Sequence, residues 1–516
     1  MSFLATTPLL GMRSSLSPFA ALLSLVGLAL FALSAPRSHA ATPAAIFDDI
    51  KARSTPDELY RLLFALPKGG DLHHHGGGSV TMEFVIDYYT NPTRNRGQKY
   101  YIRTTVAPLI DTASPSTNSS SSTATPPAPA PALTPDVLFH VVREAAWKNF
   151  PPALRAQWKL VTDLTPAEKA AWLSGLKLDQ PGEARDEFFE KTWWRLGPIF
   201  GDIELAPELL VENMKAFGRE GVRYLEMQTI PAGYSDRDGR PIPPDEVARI
   251  LRARLAQPDA LATAVTVRFQ IVVIRFLPHA EDAVRDAFAF IDRHRDLFVG
   301  VNMAGREDNG KGQASRFTNV FREMQRKYPR IPLAIHAGES DEANANIRDT
   351  LLLGADRIGH GVNLLKDPAT YLLLRNGRYL VEINLVSNRL LDYVTDPQQH
   401  AFPVLLRTGV PVCLNTDDRG MWDSTFTDEY FTAVKNYNLS WAETVSLARA
   451  SLVHAFLDDS TKARLLADYE KAVTAYEARY LTADWRNAAA TVAPVVSNYG
   501  KKAFRLTAPV NLGDTR

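Results

Sequence analysis

From Gly221 onward, short apolar and β-branched runs alternate with stretches of helical periodicity. The runs cover residues 222–229, 265–277, 298–304, 333–336, 357–360, 379–386 and 410–415. An earlier one, 66–78, passes from Leu66 and Leu72 into three histidines and three glycines, and with it the runs number eight. Strands alternating with helices predict a parallel sheet, and eight such units predict an α/β fold closed as a (β/α)8 TIM barrel. An open, doubly wound sheet is the competing topology, but no Gly-x-Gly-x-x-Gly turn follows an early strand. Residues 56–65 read as an amphipathic helix leading into the first strand, and 81–90 as the helix that follows it.

Between the first unit and the rest lies a large insertion, 91–205. Within it, 111–135 is almost wholly Ser, Thr, Ala and Pro, with one charge and no aromatic residue. Such a segment buries too little apolar surface to offset its ordering entropy, which predicts a disordered loop. From Pro135 to Leu210 the pattern is mostly helical, and Trp147, Trp158, Trp172, Trp193 and Trp194 read as packing residues with no chemistry assigned. The expected division is 1–40, 41–90 (first helix and first β/α unit), 91–205, 206–485 (remainder of the barrel) and a C-terminal extension, 486–516.

The first segment differs from all of these. Arg13 precedes an apolar run over 19–33, then Ser38-His39-Ala40 before Ala41, which reads as a signal peptide cleaved after Ala40. The expectation is a secreted or periplasmic protein without stable membrane association after cleavage. Cys413 is the single cysteine of the 516 residues, so export brings no intramolecular disulfide. Lys+Arg and Asp+Glu both total 58, so no basic footprint points to nucleic acid, and a small molecule is the expected partner.

Polar residues then sit where a barrel gathers chemistry. His73 and His75, Glu226 and Gln228, Gly305, His336, His360, Asn384, and Asp417 with Asp418 all fall at or near the C-terminal ends of predicted strands. Those ends converge on one mouth. In a strand, His73 and His75 share a face while His74 points away. His73, His75 and His336 with Asp417 make a ligand set of three imidazoles and one carboxylate, which suits one Zn2+ per chain better than Ca2+ or Mg2+. A metal so held makes water a nucleophile near neutral pH. Glu339, just past the third of these histidines, is placed to be a general acid, its pKa raised in a water-poor pocket. His360 can orient water and take part in proton transfer, and Asp418 is left free for substrate. The remaining histidines His140, His279, His294, His400 and His454 read as surface or packing residues without partners.

At this point the chain resembles the metal-dependent adenosine/AMP deaminase family, most closely its secreted adenosine deaminase-related growth factor branch. The resemblance rests on Pro67-Lys68 with Leu72-His73-His74-His75, His336-Ala337-Gly338-Glu339, Arg357-Ile358-Gly359-His360-Gly361, Glu382-Ile383-Asn384 with Ser387-Asn388, and Leu414-Asn415-Thr416-Asp417-Asp418. It implies a zinc-dependent purine nucleoside aminohydrolase that deaminates adenosine or 2′-deoxyadenosine at C6 and releases ammonia. Carried over by position, Glu339 protonates N1, His360 positions and deprotonates the water, Asp417 serves both metal and catalysis, Asp418 meets N7 and the Gly305 backbone meets N3. The Cys-x-x-Cys signature of cytidine-type zinc deaminases is missing.

Two departures bear on the substrate. Gly76-Gly77-Gly78 stands where the family carries an aspartate that helps hold the ribose, so Gly77 removes that contact. Arg419 follows the paired aspartates where proline is common. The insertion either rebuilds the sugar end of the pocket or resembles the receptor-binding and dimer-forming additions of the secreted branch, and a homodimer is the oligomeric candidate. Two other readings stand beside the lead. One is a related barrel deaminase acting on adenine, AMP or a modified nucleoside. The other is an exported binding or signalling protein on the same scaffold.

Overall fold

The computed structural model describes residues 41–106, 138–197, 201–377 and 379–507. The signal-like segment 1–40 and the Ser/Thr/Pro/Ala run 111–135 lie outside the described residues. Helix α1 (Pro43–Arg53) precedes α2 (Pro56–Ala65), which starts on a capping box: the Thr55 hydroxyl accepts from Glu58 N–H, and the Glu58 side chain accepts from Thr55 N–H. At the far end of α2 the buried Lys68 ammonium donates to the carbonyls of Leu63 (2.5 Å), Phe64 (3.2 Å) and Leu66 (3.3 Å), and to that of Glu220 (2.8 Å). It satisfies helix-end acceptors and fixes the angle at which the chain enters β1 (Gly69–His75). Helix α3 (Met82–Thr90) follows β1 as expected.

The insertion departs from its helical reading. It holds a three-stranded antiparallel sheet, β2 (Tyr100–Arg103), β3 (Val141–Arg143) and β4 (Trp158–Leu160), in the order β3-β2-β4. These strands are too short for their alternation to register in the sequence. Tyr100 and Ile102 are buried on one face of β2, and Tyr101 stacks on Trp147 on the other at 4.0 Å. Helix Pro166–Gly175 follows within the insertion, Ala206–Arg219 begins just beyond it, and Trp172 is a fully buried core residue.

The barrel strands are β5 (Val222–Thr229), β6 (Thr266–Ile274), β7 (Phe298–Ala304), β8 (Leu333–Ala337), β9 (Arg357–His360), β10 (Leu380–Ile383) and β11 (Val412–Leu414). All are parallel, in the order β1-β5-β6-β7-β8-β9-β10-β11. Three runs are shorter than their apolar patterns. The 265–277 run ends at Ile274, 379–386 gives way to the helix Leu385–Leu390, and 410–415 starts late because Pro411 has no N–H for the ladder. Closure between β1 and β11 runs through a parallel bridge of His74 with Asp417. The buried Asp71 reinforces it, accepting from Thr416 N–H (3.0 Å) and hydroxyl (2.7 Å) across the seam and from His73 N–H (3.0 Å) on its own strand.

The main apolar core fills the space between strands and surrounding helices, and a second cluster joins α3, the insertion and Trp422 above the mouth. The C-terminal stretch adds helices Trp485–Ala490 and Asn498–Phe504, with Asn498 and Tyr499 bonded to Asp423. Among the described residues no helix is long and apolar enough to cross a membrane.

Candidate active site

Beneath the mouth, the barrel interior carries a continuous polar layer instead of an apolar one. Glu226 on β5 accepts from Tyr224 Oη (2.8 Å), Phe456 N–H (2.6 Å), Gln270 Nε2 (2.8 Å) and Arg357 Nη2 (2.6 Å). From it two arms run upward. One passes through Arg357 to Glu382 (2.7 Å), whose other oxygen accepts from His73 Nδ1 at 2.8 Å. The second passes through Gln270 and Asn302 (3.0 Å) to His336, whose Nδ1 donates to Asn302 Oδ1 at 2.8 Å. In each ring the Nδ1 proton is committed below, so Nε2 is turned toward the mouth.

There His73, His75, His336 and Asp417 bring four donor atoms within 4.8 Å of one another, all from buried residues. Asp417 Oδ1 stands 3.2 Å from His75 Nε2 and 3.6 Å from His73 Nε2, and the latter atom has no hydrogen-bond partner among the described residues. Three imidazole nitrogens and one carboxylate, oriented by partners behind them, fit a zinc-type ion. Burial opposes charge on His73, but Asp417 and Glu382 on either side outweigh it and raise its pKa to about 10. Burial lowers His75 and His336. Asp417 is held well below the ordinary carboxylate range, since the two nearby imidazoles outweigh burial.

Glu339 lies past the end of β8. The Glu307 carboxylate fixes that turn by accepting from Gly338 N–H (3.0 Å) and Glu339 N–H (3.3 Å), and the buried Arg275 lies 3.6 Å from Glu307. Burial, with Asp417 and Glu307 adding to it, pushes the Glu339 carboxyl well above the ordinary range, which favours its protonated form. His360 Nε2 is 3.9 Å from Glu339, and burial lowers the His360 pKa to about 3.

The tautomer of His360 is set from a distance. Phe402 N–H donates to His400 Nδ1 (3.0 Å), so His400 Nε2 carries a proton and donates to Asn388 Oδ1 (3.2 Å). That orients the Asn388 amide, whose Nδ2 donates to His360 Nδ1 at 3.0 Å. With Nδ1 an acceptor, the proton of the neutral ring sits on Nε2, facing the mouth. His400 is therefore not a partnerless packing residue. Nor is His294, which pairs with Asp245 at 2.6 Å. Neither could be read from sequence, because the partners lie on other elements.

Two of the site residues carry backbone strain. His360 (φ 64°) and Asp417 (φ 53°) both occupy the left-handed region that residues with a Cβ rarely enter. Gly78 is required by close approach, because a Cβ there would fall 1.7 Å from Asp418 Oδ1. Asp418 is buried and its pKa is raised well above the ordinary range by burial and by Asp417.

These groups open on a cavity of about 440 Å3. His75, His336, Glu339, Asp417, Asp418 and Gly305 line one end, and Phe188, Phe189, Trp193 and Met227 line the other. No lysine or arginine lines it among the described residues. The aromatic wall comes from the insertion. Phe188–Thr192 form a single π-helical turn, a geometry often found at functional sites, and the Trp193 ring meets His75 edge-on at 5.4 Å. Arg306–Asp186 (2.6 Å) and Arg185–Asp341 (3.1 Å) tie this segment to the loops after β7 and β8. The Trp193-Trp194 doublet was the sequence signal for it, read there as packing alone.

The adenosine deaminase family profile matches residues 188–472, which takes in the aromatic wall and leaves β1 outside. Adenosine deaminase from Plasmodium falciparum is 27% identical over 298 residues, covering 56% of this chain and 77% of the relative. A Drosophila melanogaster adenosine deaminase-like protein is 26% identical over 268 residues, 51% of this chain and 74% of its own length. Among solved structures, the N6-methyl-AMP deaminase of Arabidopsis thaliana superposes with a TM-score of 0.56 at 19% identity, covering 81% and 99% of the two chains. An adenine deaminase from Arthrobacter aurescens gives 0.55 at 17%, covering 79% and 99%.

Proposed function

The chain belongs to the adenosine deaminase family, and we propose that it is a zinc-dependent aminohydrolase converting adenosine or 2′-deoxyadenosine to the inosine counterpart with release of ammonia. One observation carries the reading. A four-donor metal set and a buried carboxyl, Glu339, whose burial favours the protonated form, meet on a single cavity.

His73, His75, His336 and Asp417 would hold the ion, which when bound would act as a Lewis acid and make water a nucleophile near neutral pH. Glu339 gives its proton to the purine N1, which makes C6 electrophilic; once the hydroxyl has added there, the amine takes up the proton lost by the water and leaves as ammonia, and the C6 hydroxyl proton returns to Glu339. Asp418 hydrogen-bonds N7, and the Gly305 N–H meets N3. His360 donates from Nε2 and so orients the attacking water. In that tautomer its exposed nitrogen has no lone pair for a proton, and the Asp417 carboxylate is the acceptor beside it. Each of these groups acts most strongly on the tetrahedral C6 centre, where charge develops.

The lack of a lysine or arginine along the cavity among the described residues argues against a nucleotide, since a phosphate group would be buried there without such a partner. A second reading, a base or modified purine without ribose, has Gly77 in its favour, because that position offers no side chain to a sugar. Loss of adenosine absorbance on conversion to inosine, with and without a zinc chelator, tests the lead. Chelator-sensitive conversion supports it. No conversion by zinc-loaded protein, alongside turnover of adenine or another purine amine, replaces it with the second reading. We also propose export after cleavage at Ala40, checked by N-terminal sequencing of the mature protein, which should begin at Ala41.

A further inference from the structure

We propose that Gln228 is a substrate-binding residue of this mouth and that its amide holds a hydroxyl of the substrate's sugar. The inference rests on the deaminase reading of the site. Gln228 is 1% exposed and lines the cavity, and neither its Nε2 nor its Oε1 has a hydrogen-bond partner among the described residues. A buried amide with both polar atoms open is costly; of the two among the described residues, Asn213 and Gln228, it is Gln228 that lines the cavity, where a ligand can complete it.

Its position identifies the part of the substrate it meets. In the strand order, β5 stands four places from β9, directly across the eight-stranded barrel. The reacting end lies with His336 on β8, Glu339 just after it and His360 on β9. Gln228 therefore stands across the barrel from Glu339 and His360, beside the metal donor His75, with which its Cα is in register. It is rigidly held there, its own carbonyl accepting from Gly76 N–H at 3.0 Å. Thr229 is engaged by Tyr234, Gly77 has no side chain, and Phe188, Phe189 and Met227 bring apolar groups, so among the described cavity-lining residues Gln228 is the buried amide that remains open. One donor and one acceptor on the same amide match a hydroxyl, which offers both functions, better than a purine edge already met by Gly305, Glu339 and Asp418.

The test compares zinc-loaded wild type with Gln228→Met, close in size and without polar atoms, on adenosine, its 2′-, 3′- and 5′-deoxy analogues and 9-ethyladenine. Wild type should prefer adenosine over at least one deoxy analogue by about tenfold or more in kcat/KM. Gln228→Met should lose about 10–100-fold on adenosine, mainly in KM, and bring that preference within about threefold. Zinc content should be unchanged and the Tm of the ligand-free protein equal or higher, because an unpaired buried amide has been removed. The thermal shift given by inosine should shrink. An unchanged preference, an equal loss on every substrate including 9-ethyladenine, or a lowered Tm would overturn the assignment while leaving the deaminase reading in place. If wild type turns over none of these compounds, both fall together.

Discussion

Replacing Glu382 by glutamine probes whether the site works as a metal centre oriented from below. In the wild type, Glu382 accepts from His73 Nδ1 at 2.8 Å and is itself paired with Arg357 at 2.7 Å, so its charge is fixed and buried. Glutamine keeps an acceptor of nearly the same shape and removes only the charge. The ring stays in place, but Nε2 becomes a weaker donor to an ion. Changes of this kind behind a metal ligand cost about 10–100-fold in affinity, or about 1.4–2.8 kcal/mol. The substitution also leaves Arg357 with one carboxylate, Glu226, so the metal-free protein is destabilised as well. Comparing metal-free and zinc-loaded forms removes that contribution, because only the zinc-dependent increment of stability reports on the ion. Competition against a chromophoric chelator gives the affinity directly, and paired melting curves give the increment. Zinc affinity within about threefold of wild type, with an unchanged increment, would refute the reasoning, since a tenfold effect is the least that such a support should show.

Glu339→Gln should keep zinc while kcat falls by about 10^2–10^4, because only the proton goes; metal loss equal to that of His336→Ala would make Glu339 a ligand instead. His400→Phe should lower kcat by about tenfold with zinc retained, since Asn388 loses the donor that orients it toward His360; wild-type kcat would mean the His360 tautomer is set otherwise. In the metal-free protein His73 keeps both ring protons up to about pH 10, its pKa being raised above that of a free imidazole. Binding through Nε2 must expel one, so the logarithm of zinc affinity should rise by about one per pH unit from roughly pH 7 to 9, and a flat profile by competition titration would contradict the assigned charge.

Much of the barrel was legible because its signals are local. An apolar run followed by a polar residue at a strand's end needs no tertiary knowledge, and His73, His75, His336, Glu339, His360 and Asp417 all stood at such ends. What escaped was carried by contacts between distant elements. Glu307 is an unremarkable loop carboxylate until the fold places it under Glu339 at 3.3 Å. His400 has no motif and acts through Asn388, twelve residues away, on a ring on another strand. The insertion misled for a second reason: its strands are too short for their period to show, and its aromatic doublets suit a core and a pocket wall equally well.

Two residues of β5 point the same way into the barrel, and their contrast bears on what the mouth is for. Glu226 is completely buried and accepts four hydrogen bonds, one of them from a guanidinium. Two positions nearer the mouth, Gln228 is almost as deeply buried and makes none with its side chain. A fold able to satisfy a charged group so fully on that face had neighbours to spare for a neutral amide one level up. Hydrophobic side chains of similar volume would have filled Gln228's place at lower cost, as Met227 and the aromatic wall do around it. The polar layer ends at the height of the metal donors, and among the described residues that line the cavity Gln228 and Asp418 are those with buried side-chain atoms left unpaired. A ligand seated there can complete both, which it cannot do for the open atoms of Asn213 or Thr350 elsewhere in the fold.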